Sequence, residues 1–287
     1  MEWANTVLFA PGGESIVTCA WSGLLRWPIV RPAGDELQLG PPQPAAPALA
    51  RPKMFVRAGL VGSNAVFTTM HLDPIQGYRS GTNFLQLAGS EYTTSIATSA
   101  DGKWIAAGSW NLPNVRLWET QTGKMVRQLP TLGTTLVAFT PDSRSLVSGA
   151  SDEYCFWDVA TGKPGLRIPR DPAGTIWGPM AFTCDGKVMA IARSRWLVQL
   201  LESATGRELA SLEQPDAQGV AWLAFNPDGT QLAVASDVVH VWDLRKLREA
   251  LAALKLDWDA TPFLDSGPNS AGPIRIKVLG ARNADAR

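Results

Sequence analysis

Two histidines, His71 and His240, are the only side chains of the 287-residue chain whose ordinary pKa suits a general base near neutral pH. A hydrolase triad needs such a base beside its nucleophile. His240 sits in the run Val238-Val239-His240-Val241-Trp242, where the apolar pattern reads as a strand and the histidine as a structural residue. His71 has Asp73 two residues on, but a metal site there would need further ligands and none are nearby in sequence. The three cysteines, Cys19, Cys155 and Cys184, lie far apart with no C-x-x-C pairing. They support neither a disulfide framework nor a zinc site, and they fit a reducing, cytoplasmic setting or inert buried thiols. No nucleophile elbow, P-loop or H-E-x-x-H occurs. Aspartates and glutamates fall mostly at turns, and nothing selects a pair for glycoside hydrolysis. The expectation is a non-catalytic chain without metal or cofactor.

Charge narrows the partners. Lys plus Arg number 26 against 26 Asp plus Glu, so the chain is neutral and lacks the basic footprint of a nucleic-acid binder. The start, Met-Glu-Trp-Ala-Asn, places an acid where a signal peptide needs bases. No apolar stretch approaches the roughly 18 residues of a membrane span, so no membrane insertion is expected. What the chain has in abundance is tryptophan, 12 of them.

The elements that position these residues emerge from an internal repeat. Ala-Phe-Thr-Pro-Asp-Ser (138–143), Ala-Phe-Thr-Cys-Asp-Gly (181–186) and Ala-Phe-Asn-Pro-Asp-Gly (224–229) align, with 97–102 and 8–13 in the same column. Asp101, Asp142, Asp185 and Asp228 are spaced by 41, 43 and 43 residues. Gly12 lies 89 residues before Asp101, about twice the period, so the copy between them has decayed and six copies are expected. A second column ends each copy: Arg26-Trp27, Leu117-Trp118, Phe156-Trp157-Asp158, Leu200-Leu201-Glu202 and Val241-Trp242-Asp243. Three copies run on into Thr-Gly-Lys/Arg turns at 122–124, 161–163 and 205–207. With β-branched and small residues between the columns, each copy reads as four short strands, the blade of a β-propeller.

These columns resemble the WD-repeat family over residues 5–258, and Trp157-Asp158 and Trp242-Asp243 keep the literal dipeptide. The resemblance implies an all-β, six-bladed propeller with a degenerate second blade, in which Trp27, Trp118, Trp157, Asp158, Trp242 and Asp243 are structural. The family's Gly-His dipeptide is missing from every copy. Asp152 and Asp237 stand where its turn Asp belongs, without the histidine partner, so apolar packing must carry the blades. The Asp-Gly-Lys and Ala-Thr-Gly-Lys turns and the segment 242–259 are similar to bacterial WD-repeat regions that close Ser/Thr-kinase proteins. No kinase signature is present in this chain.

Asp243 is placed to cap a helix over 244–256, with Leu244, Leu247, Leu251 and Leu254 as its apolar stripe and Arg245, Lys246 and Arg248 opposite. That helix either docks on the propeller or binds a partner. In the family each copy opens with the preceding blade's outer strand, so the last blade would lack its fourth. The period-2 run Pro273–Leu279 in the tail, 259–287, is expected to supply it as a closing strand. The proline-rich stretch 28–52 reads as a rigid connector or, less simply, a polyproline ligand. Trp104 is expected to face outward and Trp222 to be structural.

Family topology also gathers two loop sets on one face of the disc. Trp21, Trp110 and Trp196 follow the second strand of their copies, Trp177 precedes a first strand, and Arg193 and Arg195 flank Trp196. Tryptophan and arginine are enriched at binding hot spots. These rings either pack between blades or form a docking surface for a protein or peptide. The expected function is a monomeric, non-catalytic interaction scaffold. The competing readings are a sensor or substrate-recruiting module split from a bacterial Ser/Thr kinase, and a degenerate propeller hydrolase.

Overall fold

The computed structural model describes residues 4–10, 13–20, 23–32, 36–45, 55–61, 65–70, 74–79, 82–90, 92–110, 112–171, 177–215, 219–258 and 275–279. These divide into two compact units: Met1–Ile96 with Thr120–Met125 and Asp265–Arg287, and Ala97–Glu119 with Val126–Leu264.

In the first unit, β1 (Ala4–Phe9), β2 (Ser15–Ala20), β3 (Gly23–Val30) and β4 (Glu36–Leu39) form an antiparallel run, and β5 (Gln43–Pro44) also pairs β3. The proline-rich stretch is therefore partly built into this sheet rather than being only a connector. A second sheet orders β6 (Phe55–Val61), β7 (Ala65–Met70), β8 (Ile75–Arg79) and β9 (Thr82–Leu87). The copy that lost both sequence columns thus keeps all four strands, with Ile75 and Leu87 fully buried. Strand pairing asks only for alternation and turns, so it outlasts the signature residues.

The remaining sheets are β10 (Thr93–Thr98), β11 (Trp104–Ser109), β12 (Asn114–Glu119) and β13 (Met125–Pro130); then β14 (Leu136–Phe139), β15 (Ser145–Gly149), β16 (Glu153–Asp158) and β17 (Pro164–Pro169). After them come β18 (Met180–Phe182), β19 (Val188–Ala192), β20 (Leu197–Glu202) and β21 (Glu208–Glu213), and finally β22 (Trp222–Phe225), β23 (Gln231–Ala235) and β24 (Val239–Asp243). Among the described residues five sheets contain the four strands of a complete blade, the first with β5 and a tail strand added, and the last sheet has three. The expectation of six blades is corrected to five. The reason is local: Asp243 accepts hydrogen bonds from the Arg245 and Lys246 N–H groups at 3.0 and 3.3 Å and starts α1 (Leu244–Ala253). The chain turns into a helix where other copies turn into a fourth strand.

The closing-strand expectation is also overturned. β25 (Arg275–Val278) pairs in parallel with β4, Arg275 opposite Glu36 and Val278 opposite Leu39. Leu279 N–H continues the ladder to Leu39 O at 2.7 Å. The tail strand covers the first sheet's outer edge, not the last sheet's. Pro273 and Ile274 lie outside the described residues.

The repeat columns set the turns and the core of the second unit. Gly102, Gly186 and Gly229 adopt φ near +70°, and Ser143 occupies the same left-handed position with φ 61°. Its hydroxyl accepts the Asp101 N–H at 3.1 Å, tying one sheet's turn to the next. Trp118, Trp157, Leu117, Leu146, Met189 and Leu200 are fully or almost fully buried between sheets. Trp104 is half-buried against the cluster around Leu117 and Trp157, so it does not face fully outward.

The helix stripe is shorter than expected. Leu244, Leu247 and Leu251 join the core around Leu232 and Trp258, while Leu254 follows the helix and is exposed. Arg248, expected on the polar side, is buried. Its guanidinium pairs with Asp257 at 2.9 Å and lies 5.0 Å over the Trp258 ring, which neutralises and packs it.

Candidate functional site

Strand direction sorts the loops of the second unit. Each Asp-Gly or Thr-Gly turn lies where the second strand of its sheet begins, because Ser145 pairs with Asp158 and Val188 with Glu202. Trp110 and the loops Ala150–Asp152 and Arg193–Trp196, which follow the second strands, lie at the opposite end.

At that end β11 runs straight into Trp110, which is 40% exposed. Its ring meets Trp177, with centroids 6.3 Å apart and planes tilted by 57°. This geometry is an ordinary aromatic contact that leaves the Trp110 face open. Two glycines let the Trp177 backbone come so close to β15. A Cβ on Gly149 would stand 2.3 Å from the Gly178 carbonyl oxygen, and one on Gly178 would strike the Tyr154 ring at 2.9 Å.

One loop further, β19 ends at Ala192 and the chain turns through Arg193–Trp196. Arg193 is half-buried, donating its N–H to Leu197 O at 2.8 Å and accepting from Asp171 N–H at 3.0 Å. Arg195 and Trp196 are exposed, Trp196 at 45%, with the guanidinium 6.0 Å from its ring centroid. The backbone beneath is pinned: Trp196 O accepts Gln214 N–H and Arg195 O accepts Val220 N–H, both at 2.8 Å.

Arg170, which nothing in the sequence reading singled out, connects these loops. It is 5% exposed and donates to three carbonyls: Ala192 O at 3.1 Å, Trp177 O at 3.0 Å, and Ala150 O. Those carbonyls belong to the residue after β15, to Trp177 and to the last residue of β19. The guanidinium lies 5.3 Å over Tyr154, whose hydroxyl reaches Pro179 O at 2.9 Å and Ala192 O at 3.1 Å. Burial pushes the Tyr154 hydroxyl well above the usual tyrosine range, so it stays a neutral donor. Burial lowers the pKa of Arg170, opposed by Tyr154 and Asp152, yet an arginine remains charged. A signal for Arg170 did exist in the repeat. Counting two residues past the buried Leu129, Ile168 and Leu212 gives Thr131, Arg170 and Gln214, so one copy places a cation where the others have neutral residues.

The structure therefore brings Trp110 to Trp177 and Arg195 to Trp196, and joins both neighbourhoods through Arg170. Trp21 lies outside the described residues, as do His71 and Asp73. Trp222, expected to be structural, is 49% exposed at the start of β22, although its counterpart Leu136 in β14 is buried. No group of three or more His, Cys, Asp or Glu gathers as a metal site among the described residues. Cys155 is buried and its thiol is pushed up to about 11 by burial, the wrong direction for a nucleophile at neutral pH.

No family model matches the chain. It is 28% identical to Pre-mRNA-processing factor 19 homolog 2 of Arabidopsis thaliana over 129 residues, 44% of this chain and 24% of that protein. It is 26% identical to the Serine-threonine kinase receptor-associated protein of Dictyostelium discoideum over 161 residues, 55% of this chain and 54% of the relative. The chain thus spans about a quarter and about half of these curated relatives. Together, the paired repeat columns, the four-stranded sheets and these two similarities support a WD-repeat propeller.

Proposed function

We propose that the chain is a non-catalytic protein-interaction module and that the loops carrying Trp110, Trp177, Arg193, Arg195 and Trp196 are its docking surface. The observation that carries this reading is the combination of open aromatic faces with a rigid base. Trp110 and Trp196 are exposed, while the backbones around them are held by Arg170, Tyr154 and a ladder of loop hydrogen bonds. Large aromatic side chains on pre-ordered backbone lose little entropy on binding, which favours them as anchors. Trp222 adds a further exposed ring in the same unit.

The two relatives are named for different settings, pre-mRNA processing and association with a kinase receptor, so neither partner is carried over. The kinase-linked reading rests on turn resemblance alone, and the hydrolase reading gains no residue cluster among the described residues. Affinity capture tests the proposal, comparing wild type with Trp110→Ser/Trp196→Ser at matched loading. The double variant is expected to keep its melting temperature and lose the wild type's specific partner by about tenfold or more. Equal recovery by a folded double variant would sink the docking surface.

A further inference from the structure

We infer that the cavity between the β14–β17 sheet and the β18–β21 sheet, at their turn end, receives an arginine side chain of a partner protein. It lies at the opposite end of the sheets from the tryptophan loops, so it serves a different partner and does not rest on that surface.

The cavity holds about 600 Å³, and all its lining residues fall within the second unit. Phe156, Pro164 and Leu166 give it apolar walls, and the carboxylates of Asp142, Asp158 and Asp185 face it together with Lys163. Lys187 lies 3.8 Å from Asp185, with both side chains exposed, so charge alone gives only a modest preference for a cation. Ser203 marks a ligand more specifically. It lines the cavity and is 9% exposed, and its Oγ has no hydrogen-bond partner among the described residues. A buried hydroxyl left unmatched costs free energy that an incoming donor recovers.

The preceding pair of sheets shows what fits. Arg127 and Leu166 hold the same place, each the half-buried third residue of its outer strand, two before the buried Leu129 or Ile168. Each also lies against the Thr-Gly turn of the next sheet. A Cβ on Gly162 would stand 2.9 Å from Arg127 Cδ, and one on Gly206 3.3 Å from Leu166 Cδ1. Arg127 sends its guanidinium to the carbonyls of Val159, at 3.3 Å, and Ala160, the two residues after β16. The two residues after β20 are Ser203 and Ala204, and both line the cavity. Leu166 carries no donor for their carbonyls, and Ser203 is smaller and more polar than Val159. This pair of sheets thus keeps the acceptors of a guanidinium site without the guanidinium. An arginine from outside supplies it, its planar fork on the acceptors and its methylene stem along Phe156 and Leu166. The three carboxylates repel the α-carboxylate of a free amino acid, so the arginine is one within a chain.

The probe is N-acetyl-arginine N-methylamide, titrated against the full chain and followed by amide NMR shifts. The expected result is saturable binding in the range of about 1–10 mM, with shifts confined to the cavity residues. The lysine analogue should bind about threefold or more weakly, and the uncharged citrulline analogue about tenfold. Leu166→Arg places a guanidinium as Arg127 does, so it should raise the melting temperature and abolish probe binding. Ser203→Val should keep the fold and weaken binding by about threefold. Trp196→Ser should bind normally, which separates this site from the loop surface. Absence of saturation, equal binding of the citrulline analogue, shifts elsewhere, or unchanged affinity in folded Leu166→Arg or Ser203→Val overturns the inference. Free L-arginine binding about tenfold tighter than the blocked form would assign the cavity to an amino acid and overturn it equally.

Discussion

At the residue scale, the missing histidines have a visible consequence in the tryptophan column. Trp157 Nε1 donates to Ser148 Oγ at 2.8 Å and Trp27 Nε1 to Thr18 Oγ1 at 2.9 Å. In both sheets the hydroxyl sits two residues past the tryptophan's register partner, Leu146 or Ile16. The same count from Leu232, the partner of Trp242, reaches Val234, which is apolar and fully buried. Trp242 Nε1 is accordingly buried without a hydrogen-bond partner. A buried orphan donor costs about 1–3 kcal/mol, more than the roughly 1 kcal/mol of apolar contact that Val→Thr gives up. Val234→Thr should therefore stabilise the protein by about 1 kcal/mol. Val147→Thr, in the same unit but without a facing indole, should destabilise it by a similar amount. Paired thermal melts check this, and destabilisation of both variants alike would show that the indole is not the deciding group. The tryptophans and turn aspartates were legible in the sequence because their spacing repeats. The orphan was not, because it depends on cross-strand register.

At the element scale, Arg170 decides whether three loops stay in place. Its guanidinium is buried among the carbonyls of Ala150, Trp177 and Ala192. Arg170→Met keeps much of the volume but leaves those carbonyls unmatched, a loss of about 3 kcal/mol or more. Hydrogen exchange should then rise first at residues 177–179 and 192–197 rather than throughout the unit. Uniform loosening would mean that Arg170 serves global stability and does not position the docking loops. Helix α1 and the strands between the columns were readable from caps and alternation. The destination of β25 was not, since a short alternating run says that it pairs but not with which edge. Arg248 escaped for a similar reason: its burial depends on Asp257 and Trp258, beyond the helix that placed it on the polar side.

At the scale of the whole molecule, the repeated turns make stability depend on pH in one direction. The Thr140 hydroxyl chiefly holds Asp142 below the usual carboxylate range, and Thr230 does the same for Asp228. At Asp101 and Asp185 burial pulls upward, but hydrogen bonds from Ser99 or Thr183 and from Lys103 or Lys187 outweigh it. Asp158 and Glu202 are lowered by Thr161 and Thr205. Carboxyls lowered on folding stabilise the fold above their unfolded values, near about 4, and that contribution disappears as pH falls through the folded values. Melting temperature should thus be flat from neutrality to about pH 5 and decline below about pH 4. A maximum at pH 3 would contradict the sign.

The same turns lie at the far end of the sheets from the tryptophan loops, which permits a direct test of the central claim. A photo-crosslinking amino acid is placed at Trp196 or, separately, at Lys163 in the Thr-Gly turn of the opposite end, and the complex formed with a captured partner is irradiated. The proposed docking surface predicts partner adducts from position 196 and few or none from 163. Adducts from 163, with none from 196 in a folded protein, would contradict it.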